Sequence, residues 1–167
     1  MTSLGSKFKG NKLIEVFNEF ARFTGMKTLS STNTFQDSTI KHIQLPTSIT
    51  ALAYGSVFQN CKQLLSIELH EGITLVGTSA FQGCTGLKVV EFPTTLNSLG
   101  NWWGMSATFI SIFKIAAPPN TISASEVNRS APTGNKPIYV PDDAVETWKS
   151  AWSGLKSRIF PISDYTG

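Results

Sequence analysis

The sequence is poor in the features that define several large classes of protein. Of its 167 residues only 15% are charged, and the net charge of +3 comes from dispersed basic residues rather than from a basic cluster. Without such a cluster little would displace counterions from a phosphate backbone, so we expect no nucleic-acid partner. No apolar run approaches the roughly 18 residues that cross a bilayer, so we expect no membrane insertion. Residues 1–10 also lack the hydrophobic core of a signal peptide.

What the sequence does contain is an internal repeat. The segment from Phe58 to Gly77 recurs, position by position, from Phe81 to Gly100. A period in the twenties with fixed apolar positions predicts a solenoid, in which each unit buries its hydrophobic face only against its neighbours. The matched positions are all apolar or glycine, namely Phe58/Phe81, Cys61/Cys84, Leu64/Leu87, Ile67/Val90, Leu69/Phe92, Ile73/Leu96, Val76/Leu99 and Gly77/Gly100.

Degenerate copies extend the repeat in both directions. One begins at Phe35, and the phrase Phe109-Ile-Ser-Ile-Phe113 repeats the strand pattern once more, with Trp103 close to the recurring phenylalanine position. In each copy the alternation around Ile-x-Leu has a period of two, which predicts a half-buried strand. We therefore expect equivalent strands to stack into a parallel sheet, with the second apolar phrase of each copy filling the core from the opposite side.

Both ends of the chain are predicted to carry a helix that covers the core. An apolar stripe formed by Leu13, Ile14, Phe17, Phe20 and Ala21 predicts an amphipathic helix that Asn11 can cap. The division expected is a frayed segment 1–10 and a single solenoid 11–163, with N-terminal cap 11–34, repeats 35–117 and C-terminal cap 118–163.

The C-terminal cap is predicted to hold a loop at 120–137, a short strand from Ile138 and a second helix. Asp143 and Glu146 have the spacing of a capping box, and Trp148 and Trp152 fall on one face of the helix that follows. A final edge segment is expected at 159–162. The fold class is therefore a strand-rich α/β repeat protein with a capping helix near each end.

The two cysteines are too few for a disulfide framework or a zinc site. Cys61 and Cys84 occupy the same position in adjacent repeats, so stacking would bring them within about one strand spacing, roughly 5 Å. Buried unpaired thiols that act as small hydrophobic groups are the favoured interpretation. A disulfide is the alternative, and a nucleophile has no histidine with an argued place beside it.

The repeat phrase Phe-Gln-x-Cys-x-x-Leu-x-x-(Val/Ile)-Glu-(Leu/Phe)-Pro resembles the BspA-like, Treponema pallidum type leucine-rich repeats of bacterial surface proteins. Similar segments flank the repeats, at 17–25 before them and at 115–119 and 138–162 after them, so the resemblance covers roughly residues 13–163. It implies a right-handed leucine-rich-repeat solenoid, commonly exported or surface-attached, used for adhesion and protein recognition. The Trp102-Trp103 stretch and His70, which replaces a proline, depart from the pattern.

No group of residues has the spacing of a catalytic or metal site. His42 and His70 lie about a repeat apart at non-equivalent positions, and exposure on a strand is a better explanation for them than metal binding. Glu68 and Glu91 share one position and could imitate a catalytic carboxylate pair, but an exposed sheet supplies neither a cleft nor desolvation. We therefore expect no enzyme activity, no cofactor and no metal.

The outward face of the sheet is the favoured interaction surface, since repeat proteins present extended surfaces to partners. The sequence predicts a protein or glycoprotein ligand for a monomeric chain, either extracellular or at the cell surface by resemblance, or cytoplasmic because no export signal is evident. Alternatives are recognition through the loops or the Trp102-Trp103 stretch, and a purely structural role within a larger surface protein. The predicted face comprises His42, Gln44, Ser66, Glu68, Val89, Glu91, Ser111 and Phe113.

Overall fold

A computed structural model describes residues 4–29, 33–53, 55–119 and 127–167. Ten short strands are assigned in these ranges, and every pair between them is parallel. The strands are β1 (Val16–Phe17), β2 (His42–Ile43), β3 (Ala51–Leu52), β4 (Ser66–Ile67), β5 (Leu75–Val76), β6 (Val89–Phe92), β7 (Ser98–Leu99), β8 (Ile110–Phe113), β9 (Ile138–Val140) and β10 (Ile159–Pro161).

Each complete repeat contributes one strand to each of two sides of the core. The first strands pair in the orders β1-β2-β4 and β6-β8-β9-β10, and β6 lies against β4. The second strands pair in the order β3-β5-β7. This second set was expected only to fill the core, but it also forms a parallel sheet. Because each strand is only two to four residues long, its stability depends on stacking against the equivalent strand of the next repeat.

Apolar side chains alternate inward on both sets of strands, as the period of two predicts. Ile43, Ile67 and Val90 of the first set are buried, and so are Leu52, Val76 and Leu99 of the second. Gly100 is needed because a Cβ at this position would collide with the backbone of Gly77 and Thr78. The matched positions of the sequence repeat are therefore the positions that fill the core.

The turns between repeats keep the same backbone conformation from copy to copy. Asn33, Ser56, Ser79 and Trp102 have φ values of 72°, 59°, 57° and 56°, each residue 23 positions after the last. A second left-handed position follows at Asp37, Asn60, Gly83 and Ser106. Asn, Asp and Gly tolerate this region at little cost, whereas a bulky residue such as Trp102 is strained there.

The predicted N-terminal helix is wrong. Asn11 does accept hydrogen bonds through its Oδ1 from the backbone N–H groups of Leu13 and Ile14, each at 2.9 Å, but no helix follows. The chain instead enters β1 and then a 3-10 helix at Asn18–Arg22. The reason is tertiary, because β1 pairs with the otherwise open edge of β2 while Leu13 remains 90% exposed.

Residues 4–10, predicted to be frayed, pack onto the first repeat. Leu4 is buried, and the Phe8 ring stacks on Phe35 with centroids 5.3 Å apart. The backbone N–H of Gly10 donates to the carbonyl of Gln36 at 2.7 Å. Residues 1–3 lie outside the described ranges.

The C-terminal region adds two strands and two short helices. Helix α1 spans Val127–Ser130 within the predicted loop 120–137, of which residues 120–126 lie outside the described ranges. Helix α2 spans Val145–Ala151 and follows a 3-10 turn at Asp142–Ala144, without a side-chain cap from Asp143. Two more 3-10 segments, Ser153–Arg158 and Ile162–Asp164, flank β10.

Helix α2 packs against the last regular repeat through its tryptophans. Trp148 and Trp152 are buried, and both rings contact Phe113, with centroid distances of 4.8 Å and 5.7 Å. The indole N–H of Trp148 donates to the carbonyl of Ile115 at 3.2 Å. Among the described residues no helix is long and apolar enough to cross a membrane.

Candidate interaction surface

The outward side chains of the first strands form a continuous strip beside the core. His42 pairs in register with Ser66, and the His42 Nδ1 lies 3.1 Å from the Ser66 Oγ. Val89 follows on β6, the next strand of this side of the molecule. Two residues further along each strand lie Gln44, Glu68 and Glu91, all three exposed. These six residues are called the outward strip below.

A shallow depression of about 390 Å³ lies at the acidic end of the outward strip. Glu68 and Glu91 line it together with Glu71, Lys114 and His70. The Lys114 ammonium forms an ion pair with Glu91 at 2.9 Å, and because both side chains are about half exposed the pair adds little stability. With three carboxylates and one lysine ammonium, the depression carries net negative charge.

The carboxylate of Glu71 is fixed by the neighbouring repeat. Its Oε2 accepts a hydrogen bond from the Thr94 hydroxyl at 2.7 Å, and its Oε1 accepts one from the Thr94 backbone N–H at 3.2 Å. These hydrogen bonds favour the charged form and lower the pKa of Glu71. Glu71 could not be selected from the sequence, since it lies in a turn rather than on a strand.

His70 takes part in the backbone structure of its turn. Its Nε2 lies 3.1 Å from the carbonyl oxygen of Pro46, and its Nδ1 lies 2.9 Å from that of Glu71. In the part of the chain that the structure describes, no group of three or more His, Cys, Asp or Glu residues could hold a metal ion. Both Glu68 and Glu91 face solvent, so the desolvation on which acid–base pairs depend is missing from their surroundings.

Two residues predicted on the outward face, Ser111 and Phe113, are fully buried. The prediction assumed a spacing of 22 residues between β6 and β8, but Val89 pairs with Ile110, 21 residues later. A slip of one residue moves every side chain of a strand to the other face. Ser111 therefore lies opposite Val90 in the core, and Phe113 opposite Phe92.

The residues that pair in register with Val89 and Glu91 are Ile110 and Ile112, of which Ile110 is half-buried and Ile112 is only 5% exposed. The alternation of β8 could not reveal this, because both faces of the strand contain apolar residues. The sequence did contain one signal for the register of β8, because Phe92 is matched one repeat later by another phenylalanine, Phe113. The two rings stack with centroids 4.4 Å apart.

The two cysteines are buried free thiols. Each donates its S–H to a carbonyl of the preceding repeat, Cys61 to Phe35 at 2.9 Å and Cys84 to Phe58 at 3.0 Å. Burial raises the pKa of Cys61 to about 11 and raises the pKa of Cys84 well above its usual value. Such thiols remain protonated at neutral pH and are poor nucleophiles.

Comparison with known families identifies a family model that covers most of the repeats. The family described as the BspA type leucine rich repeat region matches residues 21–130 in six copies, which is more than half of the chain. The matched segment begins in the 3-10 helix Asn18–Arg22, ahead of β2, and ends at the last residue of α1. A search of the curated proteins finds no match.

Proposed function

The chain belongs to the BspA-type leucine-rich repeat family, and we propose that it is a non-enzymatic interaction module that binds a protein or glycoprotein through its outward strip. Repeats of this kind usually mediate protein binding. The observation that carries the proposal is the strip itself, in which exposed side chains from three successive repeats lie side by side on a regular backbone.

Charge indicates what the partner presents to this strip. Glu68, Glu71 and Glu91 together outnumber the single lysine ammonium in the depression that they line. Complementary charge favours a partner segment that carries lysine or arginine, and it steers the encounter at low ionic strength. The apolar side chain of Val89 and the neighbouring Ile110 provide contact area beside the charges.

The fold-level part of the proposal is a right-handed solenoid whose core is covered at both ends. Parallel pairing of equivalent strands on two sides supports it, as does the packing of α2 on Phe113. We place the protein outside the cell or on the surface of a bacterium, in an adhesive role, because members of this family are typically exported or surface-attached.

The test is direct binding with a charge-reversal variant. The purified chain is used to capture proteins from host extracellular and bacterial surface extracts, and each captured protein is then purified and titrated against the chain. The double variant Glu68→Lys/Glu91→Lys should weaken binding at least tenfold, since it replaces two attractive contacts by repulsive ones.

A matched control makes the same charge change elsewhere. Glu19 and Glu146 are exposed outside the outward strip, and Glu146 is paired with Lys149 much as Glu91 is paired with Lys114. The variant Glu19→Lys/Glu146→Lys should bind normally. Equal losses in the two variants would show nonspecific charge effects and reject the strip. An absence of any saturable partner would favour a structural role, and hydrolytic turnover of a substrate would refute the non-enzymatic assignment.

A further inference from the structure

Beyond the outward strip, the same face continues into an aromatic region near the C-terminus. Register pairing runs from Glu91 to Ile112, from Ile112 to Tyr139 and from Tyr139 to Phe160, so these four side chains occupy equivalent positions on neighbouring strands. The character of the face changes along this row from acidic to apolar and then to aromatic. The sequence repeats did not predict the change, because β9 and β10 lie outside them.

A groove of about 500 Å³ lies beside the last two strands. We call it the aromatic groove, and its lining used below consists of Asn135, Tyr139, Ser157, Arg158, Phe160 and Asp164. Groove size alone is compatible with a small or extended ligand, since ligand sites commonly fall between about 300 and 1,000 Å³. The chemistry of the lining decides which class of ligand fits.

Two aromatic rings, Tyr139 and Phe160, line this groove, and a third, Tyr165, packs on Tyr139. The Tyr139 ring lies 6.2 Å from the Phe160 ring and 5.1 Å from the Tyr165 ring, with interplanar angles of 45° and 55°. Phe160 is 39% exposed, although it stands on a strand whose neighbour Ile159 is buried. Phe160 is exposed, whereas Tyr139 and Tyr165 are half-buried. Aromatic rings that are open on one side offer flat apolar faces, and each tyrosine adds a hydroxyl group.

The charged groups of the groove do not select a charged ligand. The Arg158 guanidinium donates from Nε to the carbonyl of Lys136 at 2.9 Å and from Nη2 to the carbonyl of Pro132 at 2.8 Å. It therefore serves to hold the loop that precedes β9. Asp164 supplies the opposite charge on the other side, so the lining is close to neutral overall.

The remaining polar groups of the lining are uncharged. Asn135 contributes an amide, which can both donate and accept, and Ser157 contributes a hydroxyl. Both side chains are exposed. Flat apolar faces next to neutral donors and acceptors match a molecule with one apolar face and a rim of hydroxyl groups, which is the surface of a pyranose ring.

We propose that the aromatic groove binds a neutral oligosaccharide, with sugar rings packed against Tyr139 and Phe160 and sugar hydroxyls bonded to Asn135 and Ser157. A basic peptide is disfavoured because Arg158 lies in the groove, and an acidic one is disfavoured because Asp164 does. The site differs from the outward strip, so a glycoprotein partner would have a separate protein contact and sugar contact along the same row of parallel strands.

The experiment titrates the intact chain with maltohexaose, cellohexaose, laminarihexaose, chitohexaose and mannohexaose by calorimetry, with saturation-transfer NMR to detect weak binding. At least one sugar should bind saturably. Phe160→Ala and Tyr139→Ala should each reduce its association constant at least tenfold, while Phe160→Tyr should retain most of it because the aromatic face is kept.

Trp102→Ala provides the matched control, since Trp102 is an exposed aromatic residue that does not line the groove. Its affinity for the sugar should equal that of the natural chain. Circular dichroism melting separates lost binding from lost folding, and Asn135→Ala/Ser157→Ala tests the polar contacts without touching the rings.

Three results would overturn the proposal. One is no saturable binding of any hexasaccharide in either assay. Another is sugar binding that survives both Phe160→Ala and Tyr139→Ala. The third is a captured partner that occupies the groove equally well after enzymatic removal of its glycans. Binding of a protein partner through Glu68 and Glu91 is measured separately, by capture and titration. A failure of sugar binding would therefore leave the proposed protein-binding function untouched.

Discussion

The middle of the chain and its two ends bury their side chains in different ways. In the middle, a core residue packs against the equivalent residue of the next repeat. The ring of Phe58 stacks on those of Phe35 and Phe81, with interplanar angles of 4° and 6°. The glutamines that follow them form a ladder, in which Gln36 donates to Gln59 and Gln59 donates to Gln82, each at 2.6 Å. Because equivalent residues contact each other, the period of the sequence repeat shows directly which residues are in contact.

At the ends, aromatic residues make contacts that do not recur from one repeat to the next. Phe81 meets Phe109 edge-on, with an interplanar angle of 89°, and Phe113 packs between Trp148 and Trp152. At the N-terminus Phe8 and Phe20 both contact Phe35. Each end of the core is therefore covered by an aromatic cluster that occurs once. The contacts in these clusters do not recur at the repeat period, so the sequence pattern does not reveal them.

The most severe test of this contrast removes the C-terminal cluster. Replacing one buried tryptophan by alanine costs about 3 to 5 kcal/mol. Trp148→Ala/Trp152→Ala should therefore cancel most of the stability of a single domain, about 5 to 15 kcal/mol. It should also expose the last repeat and promote aggregation. Size-exclusion chromatography and thermal melting would measure both effects.

The exposed Trp102→Ala is the control for that variant and should remain soluble. If the double variant is instead a soluble monomer with a normal melting temperature, α2 does not protect the core.

A test of the middle is Phe81→Ala, which interrupts the phenylalanine stack at a fully buried position. The cost should be about 3 to 5 kcal/mol, because the cavity lies between two repeats that cannot collapse independently. Denaturant unfolding would measure it. Leu65→Ala, at a side chain that is 46% exposed, should cost less than about 1 kcal/mol. Equal midpoints for the two variants would contradict the repeat packing.

The cysteine ladder predicts a dependence of stability on pH. Because burial raises the pKa of Cys61 to about 11, the thiol ionises in the unfolded chain before it does so in the folded one. The contribution of the protonated Cys61 thiol to the free energy of unfolding is complete below the pKa that this thiol has in the unfolded chain. It is lost as the pH rises from that value towards 11. At 1.36 kcal/mol per pKa unit, Cys61 accounts for a loss of about 2 to 3 kcal/mol over this interval.

The matched control is already present in the chain, since Ser38 occupies the position equivalent to Cys61 one repeat earlier, with its Oγ 3.4 Å from the Cys61 Sγ. In Cys61→Ser/Cys84→Ser the free energy of unfolding should fall less steeply between pH 9 and 11. An identical slope in the variant would assign the loss to other groups. Urea unfolding at a series of pH values gives the comparison.

The smallest expected effect is at Trp102, where a bulky side chain occupies a turn position that Asn33 fills in an earlier repeat. Trp102→Asn should stabilise the chain by about 1 kcal/mol, because asparagine tolerates positive φ. Trp102→Ala removes the ring and keeps most of the strain, so it should be less stable than the asparagine variant. Chemical denaturation of the pair would show no difference if the turn is unstrained.

The strand β8 shows why one part of the candidate surface could not be read from the sequence. Its two faces are Ile110 with Ile112 and Ser111 with Phe113, and either pair could face the core. Burying Ser111, whose Oγ has no hydrogen-bond partner among the described residues, costs about 1 to 3 kcal/mol. Burial of Phe113, at about 1.5 to 3 kcal/mol, together with its stacking on Phe92 and its contacts with Trp148 and Trp152, offsets this cost.

The repeat, the inward positions of the middle strands and the outward register of the six strip residues could all be predicted from the amino-acid sequence. The prediction succeeds because each of these residues contacts its own copy one repeat away. Three features emerge only from the folded arrangement: residues 16–17 pair as a strand, β8 is shifted by one residue, and Tyr139 and Phe160 continue the outward row. Those outcomes rest on contacts that do not follow the regular repeat, and the sequence offered a signal for only one of them, the matched phenylalanines of β6 and β8.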